Sequence, residues 1–175
     1  MPDPSFDVRP LQADDAAAVH AMVVANREHL APWEPLRDES FFTLEHQTAV
    51  VAGQLERHAL GHEYPFVITL DGDLVGRITL SNVARGPFQS ANLGYWIDAG
   101  HQGRGLATRA LARVVEVARD EVGLHRLEAG TLPHNVGSQT VLRRCGFEQY
   151  GMAPAYLELA GRWQDHVLFQ RILHD

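Results

Sequence analysis

Gln102, Gly103, Arg104 and Gly105 stand between an apolar run, Tyr95-Trp96-Ile97, and a strongly periodic segment that opens at Leu106-Ala107-Thr108. Glycine has no Cβ to forbid positive φ, so Gly103 and Gly105 let successive backbone N–H groups turn toward one point. Where such a turn feeds a helix, the unpaired N–H groups of the first helical turn add positive potential at the same place. The chemistry this favours is anion binding, and a pyrophosphate fits such a cradle. An ordinary structural turn and the opening of a dinucleotide-binding βαβ unit use the same glycines, so the turn alone leaves three readings open.

Asn135 and Ser138 form a second group. Asn135 has the spacing of an N-cap and Ser138 falls in the first helical turn, so capping accounts for both residue types. Ser138 also shares a face with Val141, Leu142 and Cys145, which places its hydroxyl on the inward, sheet-facing stripe of that helix. Cys145 stands just before Gly146, where a buried and unreactive thiol is ordinary; a nucleophile served by His134 or His125 is the lesser reading. His58 and His62 are four apart, yet Gly61 ends their helix and no Glu follows His58, so no metal site is expected. All 15 basic residues are arginine, which excludes Schiff-base or nucleophilic chemistry on a lysine.

The elements that must position these groups can be read from periodicity. Leu106, Ala110, Val114, Val117 and Ala118 form one apolar stripe at helical spacing directly after the glycine turn. Before it, Phe6, Val8 and Leu11 alternate as a strand, Asp14-Asp15 open a helix to about Asn26, and Thr43 opens another that Gly61 ends. Between those helices Pro32 and Pro35 break the segment Glu28 to Ser40 into a shaped loop or short helix. Tyr64 to Leu70, Leu74 to Leu80 and Ala91 to Asp98 read as an antiparallel meander. After the glycine turn and its helix come a buried strand at Arg126 to Thr131 and a helix from Asn135 to Arg144. Phe147 to Leu159 and Val167 to Ile172 close the chain as a hairpin around Gly161-Arg162.

Gln102-x-x-Gly105-x-Ala107 resembles the Gln/Arg-x-x-Gly-x-Gly/Ala motif of the GNAT acetyltransferases. Gly94-Tyr95-Trp96-Ile97, His101 to Gly105, Asn135-x-x-Ser138 and Gly146-Phe147 are similar to the RimJ/RimL branch, the ribosomal-protein N-terminal acetyltransferases. The order of elements follows the same family, so the likeness covers nearly the whole chain. It implies a single domain over residues 1–175 with the α+β GNAT fold: a mixed, mostly antiparallel sheet of six to seven strands flanked by helices, its fourth and fifth strands parallel and splayed. It also implies acetyl-coenzyme A as co-substrate, with the pyrophosphate held by Gln102, Gly103, Arg104, Gly105, Leu106, Ala107 and Thr108. The pantetheine arm would run beside Trp96 and Ile97 and bond Asn135, supplying partners for strand groups that splaying leaves unpaired. Ser138 would lie near the thioester sulfur as general acid or thiolate stabiliser, and a backbone N–H near Trp96 or Ile97 would stabilise the oxyanion that an attacking amine creates.

The amine must be neutral to attack, which calls for a general base or a water route. Where the clearest ribosomal-protein enzymes carry an acidic residue on the late strand, this chain has Leu157, with Glu158 beside it on the opposite face. Glu34 is the other candidate base, and Trp33 and Glu34 lie in a segment that walls the acceptor in related folds. An exposed loop carboxylate and a packing tryptophan are their plainer readings. The expected reaction is acetylation of a primary amine, a protein N-terminal α-amine, by direct attack in a ternary complex. A small-molecule amine (amino acid, polyamine or antibiotic) and a non-catalytic acetyl-coenzyme A-binding module are the alternatives. An NAD-dependent oxidoreductase fits less well, because the glycine turn follows an antiparallel meander instead of opening a parallel βαβ unit.

Composition sets the outer limits. A chain of 175 residues, 45% apolar and 21% charged, suits one compact domain. Its net charge of −7 speaks against a nucleic-acid partner and mildly favours a cationic one. No apolar run has membrane length, Met1-Pro2-Asp3-Pro4-Ser5 lacks the basic and apolar regions of a signal peptide, and a lone cysteine suits a reducing compartment. A cytoplasmic protein with no membrane partner is therefore expected. An edge strand in the terminal hairpin is compatible with a homodimer.

Overall fold

The computed structural model describes residues 5–174, so Met1 to Pro4, on which the expectation about a leader partly rests, lie outside the described residues. Seven strands make one mixed sheet. β1 (Phe6–Pro10), β2 (Tyr64–Leu70), β3 (Asp73–Ala84) and β4 (Ser90–Ile97) are antiparallel neighbours, and β4 then meets β5 (Arg126–Thr131) in parallel. β7 (Arg162–Ile172) lies antiparallel to β5, and β6 (Glu148–Leu159) forms the edge beyond it. This is the α+β GNAT arrangement that the sequence implied.

Helices cover both faces. α1 (Ala16–Ala25) and α3 (Leu44–Ala59) bury Val19, Val23 and Val51 against Val67, while α4 (Leu106–Asp120) and α5 (Val136–Arg144) cover the other face with the larger core. Strand alternation divides the two layers: Phe66 and Ile68 face α4, and Val67 between them faces α1 and α3. The whole α4 stripe is buried; Val114 within it and Leu111 beside it are fully so, and each of these two side chains contributes about 1.5–3 kcal/mol. Arg113 and Arg119 point outward into exposed ion pairs. The short α2 (Arg27–Leu30) follows α1 at the sheet's open end.

Caps behave as the residue types require. Thr43 Oγ1 accepts the His46 N–H (3.2 Å) at the start of α3, and Gly61, at φ 74°, follows its end. Strand limits were harder to read. β3 runs on to Ala84 and β7 begins at Arg162; the added residues, mostly half-buried in β3 and mostly exposed in β7, lack the apolar alternation that would mark them in the sequence. The tight turn of the terminal hairpin is thus Ala160-Gly161, both at positive φ, and Arg162 already belongs to the strand. Among the described residues no helix is long and apolar enough to cross a membrane.

The feature that positions the site is a divergence. β4 and β5 pair only through Ser90 and Arg126, Ala91 and Leu127, and Asn92 and Glu128. Beyond Asn92 the strands part, β5 continuing with β7 while Leu93 to Ile97 keep only β3.

Candidate active site

The glycine turn lies at the open end of that gap. After the short turn Ala99–His101, the chain passes through Gly103 (φ 71°) and Gly105 (φ 73°) and enters α4. A Cβ on either glycine would meet nothing within 4 Å, so glycine supplies conformation here, not room. The first bond of α4 runs from the Arg109 N–H to the Gly105 carbonyl (3.1 Å), and the N–H groups of Leu106, Ala107 and Thr108 are left without intrahelical partners. These are the groups where the sequence reading expects an anion to sit.

A buried clip holds the turn in place. Asn26, 1% exposed at the end of α1, donates through Nδ2 to Asp98 Oδ1 (2.7 Å) and the Met22 carbonyl (2.9 Å), and accepts the Ala99 N–H (2.8 Å). Asp98 Oδ2 in turn accepts from the Gly100 N–H (3.0 Å) and meets His101 Nδ1 at 2.7 Å. The hydrogen bond from Asn26, then that from His101, hold the Asp98 carboxyl below the usual carboxylate range. From α2, His29 Nε2 accepts from the Gln102 amide (2.8 Å).

A cavity of about 630 Å³ runs from this cradle along β4 to the start of α5. It brings together Trp96, Ile97, Gln102, Gly103, Gly105, Leu106, Ala107, Thr108, Asn135 and Ser138. Arg104 is the exception: its exposed side chain, between two glycines at the crest of the turn, is outside the lining. Residues that the sequence reading did not assign to the site complete the wall, chiefly Tyr95, His29 and Arg144. Val136, Thr140 and Arg144 follow one another at i+4, a spacing that marks a second cleft-facing stripe on α5.

Asn135 caps α5 by accepting the Ser138 N–H on Oδ1 (3.0 Å). Ser138 is half-buried, and its Oγ lies 2.9 Å from Tyr95 Oη, which also reaches the Ser138 carbonyl (3.2 Å). Burial pushes the Tyr95 hydroxyl up to about 12, so it remains a protonated donor. On β4, the Asp98 N–H bonds Val75 on β3 (2.8 Å), and strand amides alternate, so the Ile97 N–H faces the gap.

On the opposite face of β4 is a second cavity of about 340 Å³, lined by Leu30, Trp33 and Glu34, by Gln54 and Arg77, and by the Gly94 to Trp96 strand. The two cavities share Leu30, Trp33, Tyr95 and Trp96 and meet where β4 leaves β5. Trp33 lies against His134 with centroids 5.5 Å apart. Glu34 is half-buried in this cavity wall, not an exposed loop carboxylate; burial raises its pKa, and Arg37, with Nε 3.7 Å away, partly offsets the rise. The Glu34 carbonyl accepts the Ala160 N–H (2.8 Å), which ties the proline-bounded segment to the β6–β7 turn. Leu157 and Glu158 are exposed on β6 and line neither cavity.

The remaining candidates are occupied elsewhere. Burial raises the Cys145 thiol, which contacts the Thr108 carbonyl at 3.4 Å, so it stays a neutral core group. His58 Nδ1 bonds the Glu63 carbonyl (3.1 Å), and among the described residues no group of three metal-ligating side chains occurs.

Comparison with known proteins agrees with this geometry. The model of the acetyltransferase (GNAT) domain family matches residues 6–148. The chain is 36% identical to the probable N-acetyltransferase YjcK of Bacillus subtilis, over 91% of this chain and 89% of that protein. It is 37% identical to the [ribosomal protein uS5]-alanine N-acetyltransferase of Escherichia coli, over 92% of this chain and 84% of that protein. The solved structure of Mycobacterium smegmatis RimJ in complex with CoA-disulfide superposes with a TM-score of 0.92 at 37% identity, covering 95% of this chain and 81% of that one. The chain belongs to the GNAT acetyltransferase family. Within it, it is closely related to the RimJ/RimL-like ribosomal-protein N-acetyltransferases, and its activity is the acetyl-coenzyme A-dependent acetylation of an amine.

Proposed function

We propose that this enzyme acetylates a protein N-terminal α-amine, with Glu34 as general base and Ser138 as proton donor to the departing sulfur. The observation that carries the reading is the junction of the two cavities at Tyr95 and Trp96, with Glu34 on one side and Ser138 on the other. Acetyl-coenzyme A supplies the acetyl group as a thioester. Its binding fits an open glycine turn for the pyrophosphate and the unpaired edge of β4 for the amide-bearing arm.

Glu34 takes the proton that the amine must lose, and its raised pKa makes it a stronger base than an exposed carboxylate. The Ile97 N–H, aimed into the gap, donates to the carbonyl oxygen as it gains charge. Ser138 delivers its hydroxyl proton to sulfur only when Tyr95 donates to Ser138 Oγ; if Tyr95 donates to the Ser138 carbonyl instead, the serine proton is held by Tyr95.

A protein acceptor is supported by the relative named for acetylating an alanine of ribosomal protein uS5, and by the net charge of −7, which suits a basic partner. The test is free-thiol release from acetyl-coenzyme A against N-terminal peptides, amino acids and polyamines. Release with peptides is the expected result; release with polyamines alone would sink the acceptor assignment.

A further inference from the structure

Arg77 is a cation in an unusual place. It rises from β3 into the wall of the acceptor cavity, where its Nε is buried without a hydrogen-bond partner among the described residues. An unpaired buried donor is costly, more so on a charged group, and so needs an explanation. One terminal nitrogen of the guanidinium, Nη2, is held. Gln54 donates through Nε2 to Glu63 Oε1 (2.7 Å), which turns its carbonyl oxygen toward Arg77 Nη2, and that oxygen accepts from the arginine. Glu63 is fixed by Arg57 behind it. The relay orients Arg77 through Nη2 and leaves Nη1 as well as Nε without a hydrogen bond among the described residues.

Glu34 lines the same cavity, so a carboxylate and a guanidinium stand in one small space beside the reacting centre. An acceptor suited to both has a basic amine and, on the adjacent carbon, an oxygen that accepts a hydrogen bond. An α-aminoacyl group has this pattern, whether at a peptide N-terminus or in a free amino acid. A polyamine has the opposite one, since its second cation would meet Arg77. We infer that Arg77 is the residue that selects the acceptor, its guanidinium bonding the carbonyl oxygen next to the reacting amine. The inference rests on the proposed acetyl transfer and narrows its substrate class. Burial lowers the Arg77 pKa and Glu63, Glu34 and Asp15 partly offset the fall; an arginine side chain stays cationic in proteins and its fork geometry suits an oxygen acceptor.

The test pairs deletion on the enzyme with deletion on the acceptor. Wild type, Arg77→Lys and Arg77→Met are assayed by thiol release with an alanine-initiated peptide, alanine amide, alanine and 2-aminopropane, which lacks the carbonyl. Binding of the peptide to the coenzyme A complex is measured by calorimetry, and a coenzyme A thermal shift shows that each variant is folded. The expected result is that both variants lose about 10- to 100-fold more kcat/KM on carbonyl-bearing acceptors than on 2-aminopropane, with the peptide's binding weakened in parallel. The peptide and free-alanine arms show which source of carbonyl the wild type takes. Equal losses on all four acceptors would overturn the inference and leave Arg77 a structural residue. Wild-type preference for 2-aminopropane or a polyamine overturns it while acetyl transfer stands. Thiol release with no amine overturns the functional reading as well. If Arg77→Met does not fold, Arg77→Lys decides, since an ammonium keeps the charge and loses Nε.

Discussion

Tyr95 Oη and Ser138 Oγ stand 2.9 Å apart, joining the strand that leaves the sheet to the helix across the gap. The contact makes Ser138 more than a member of the α5 cap. Ser138→Ala leaves the backbone N–H that bonds Asn135 intact, so helix and fold should persist. The expected loss is about 100-fold in kcat, with coenzyme A affinity nearly unchanged. Tyr95→Phe removes the donor to Ser138 and should cost less, about tenfold. Thiol-release kinetics with calorimetry of coenzyme A binding checks both; a Ser138→Ala enzyme with wild-type kcat would exclude the serine as acid.

Much of this site was legible because its residues lie close together in sequence and each obeys a local rule. The glycine turn, the α4 stripe and the Asn135 cap are short-range patterns, and β2 and β5 have the limits that their apolar runs imply. Tyr95 was within reach by period two, since it faces α5 while Trp96 faces the acceptor side. Arg77, Asn26 and His29 were not. An arginine in a strand, an asparagine ending a helix and a histidine in a short turn look ordinary in sequence. Their roles depend on partners 23, 72 and 73 residues away.

Glu34 sets an acidic limit on activity. Burial is the largest influence on its pKa and raises it, so the base is lost through protonation at a higher pH than for a free glutamate. A plot of kcat/KM against pH should fall on the acid side with a midpoint above the ordinary glutamate value, and Glu34→Gln should abolish that limb and lower kcat about 100-fold. Stability runs the other way. A carboxyl whose folded pKa is raised favours the fold below its unfolded pKa, and that contribution is lost as pH rises through the folded value. At neutral pH Glu34→Gln should therefore melt at or above the wild-type temperature while being nearly inactive.

Asn26 and Asp98 make a different kind of prediction, because neither is expected to touch the acceptor. Asn26→Leu keeps the branched shape and removes the buried amide that bonds the Asp98 carboxylate and the Ala99 N–H, at a cost of about 1–3 kcal/mol. Asp98 has a lowered pKa, so its stabilisation is complete above the ordinary aspartate range and fades as pH falls through the lowered folded value. Thermal melts across the acid range should show this slope in the wild type and a shallower one in Asn26→Leu. A parallel pair of slopes would mean that the asparagine does not hold the carboxylate down.

Gly105 and Gly72 separate backbone strain from ligand binding. Both have positive φ, 73° and 90°, and a Cβ on either meets nothing within 4 Å, yet Gly105 opens α4 while Gly72 turns β2 into β3. Replacing either by alanine should cost about 1–2 kcal/mol of stability through left-handed strain alone. At Gly105 the chain can relieve that strain only by turning the N–H groups of Leu106 and its neighbours away from the anion, so coenzyme A affinity should also fall, by about tenfold for 1.4 kcal/mol. Gly72→Ala should lose stability and keep its affinity. Calorimetry of coenzyme A with both variants decides, and equal affinities would show that the turn before α4 does not hold the pyrophosphate.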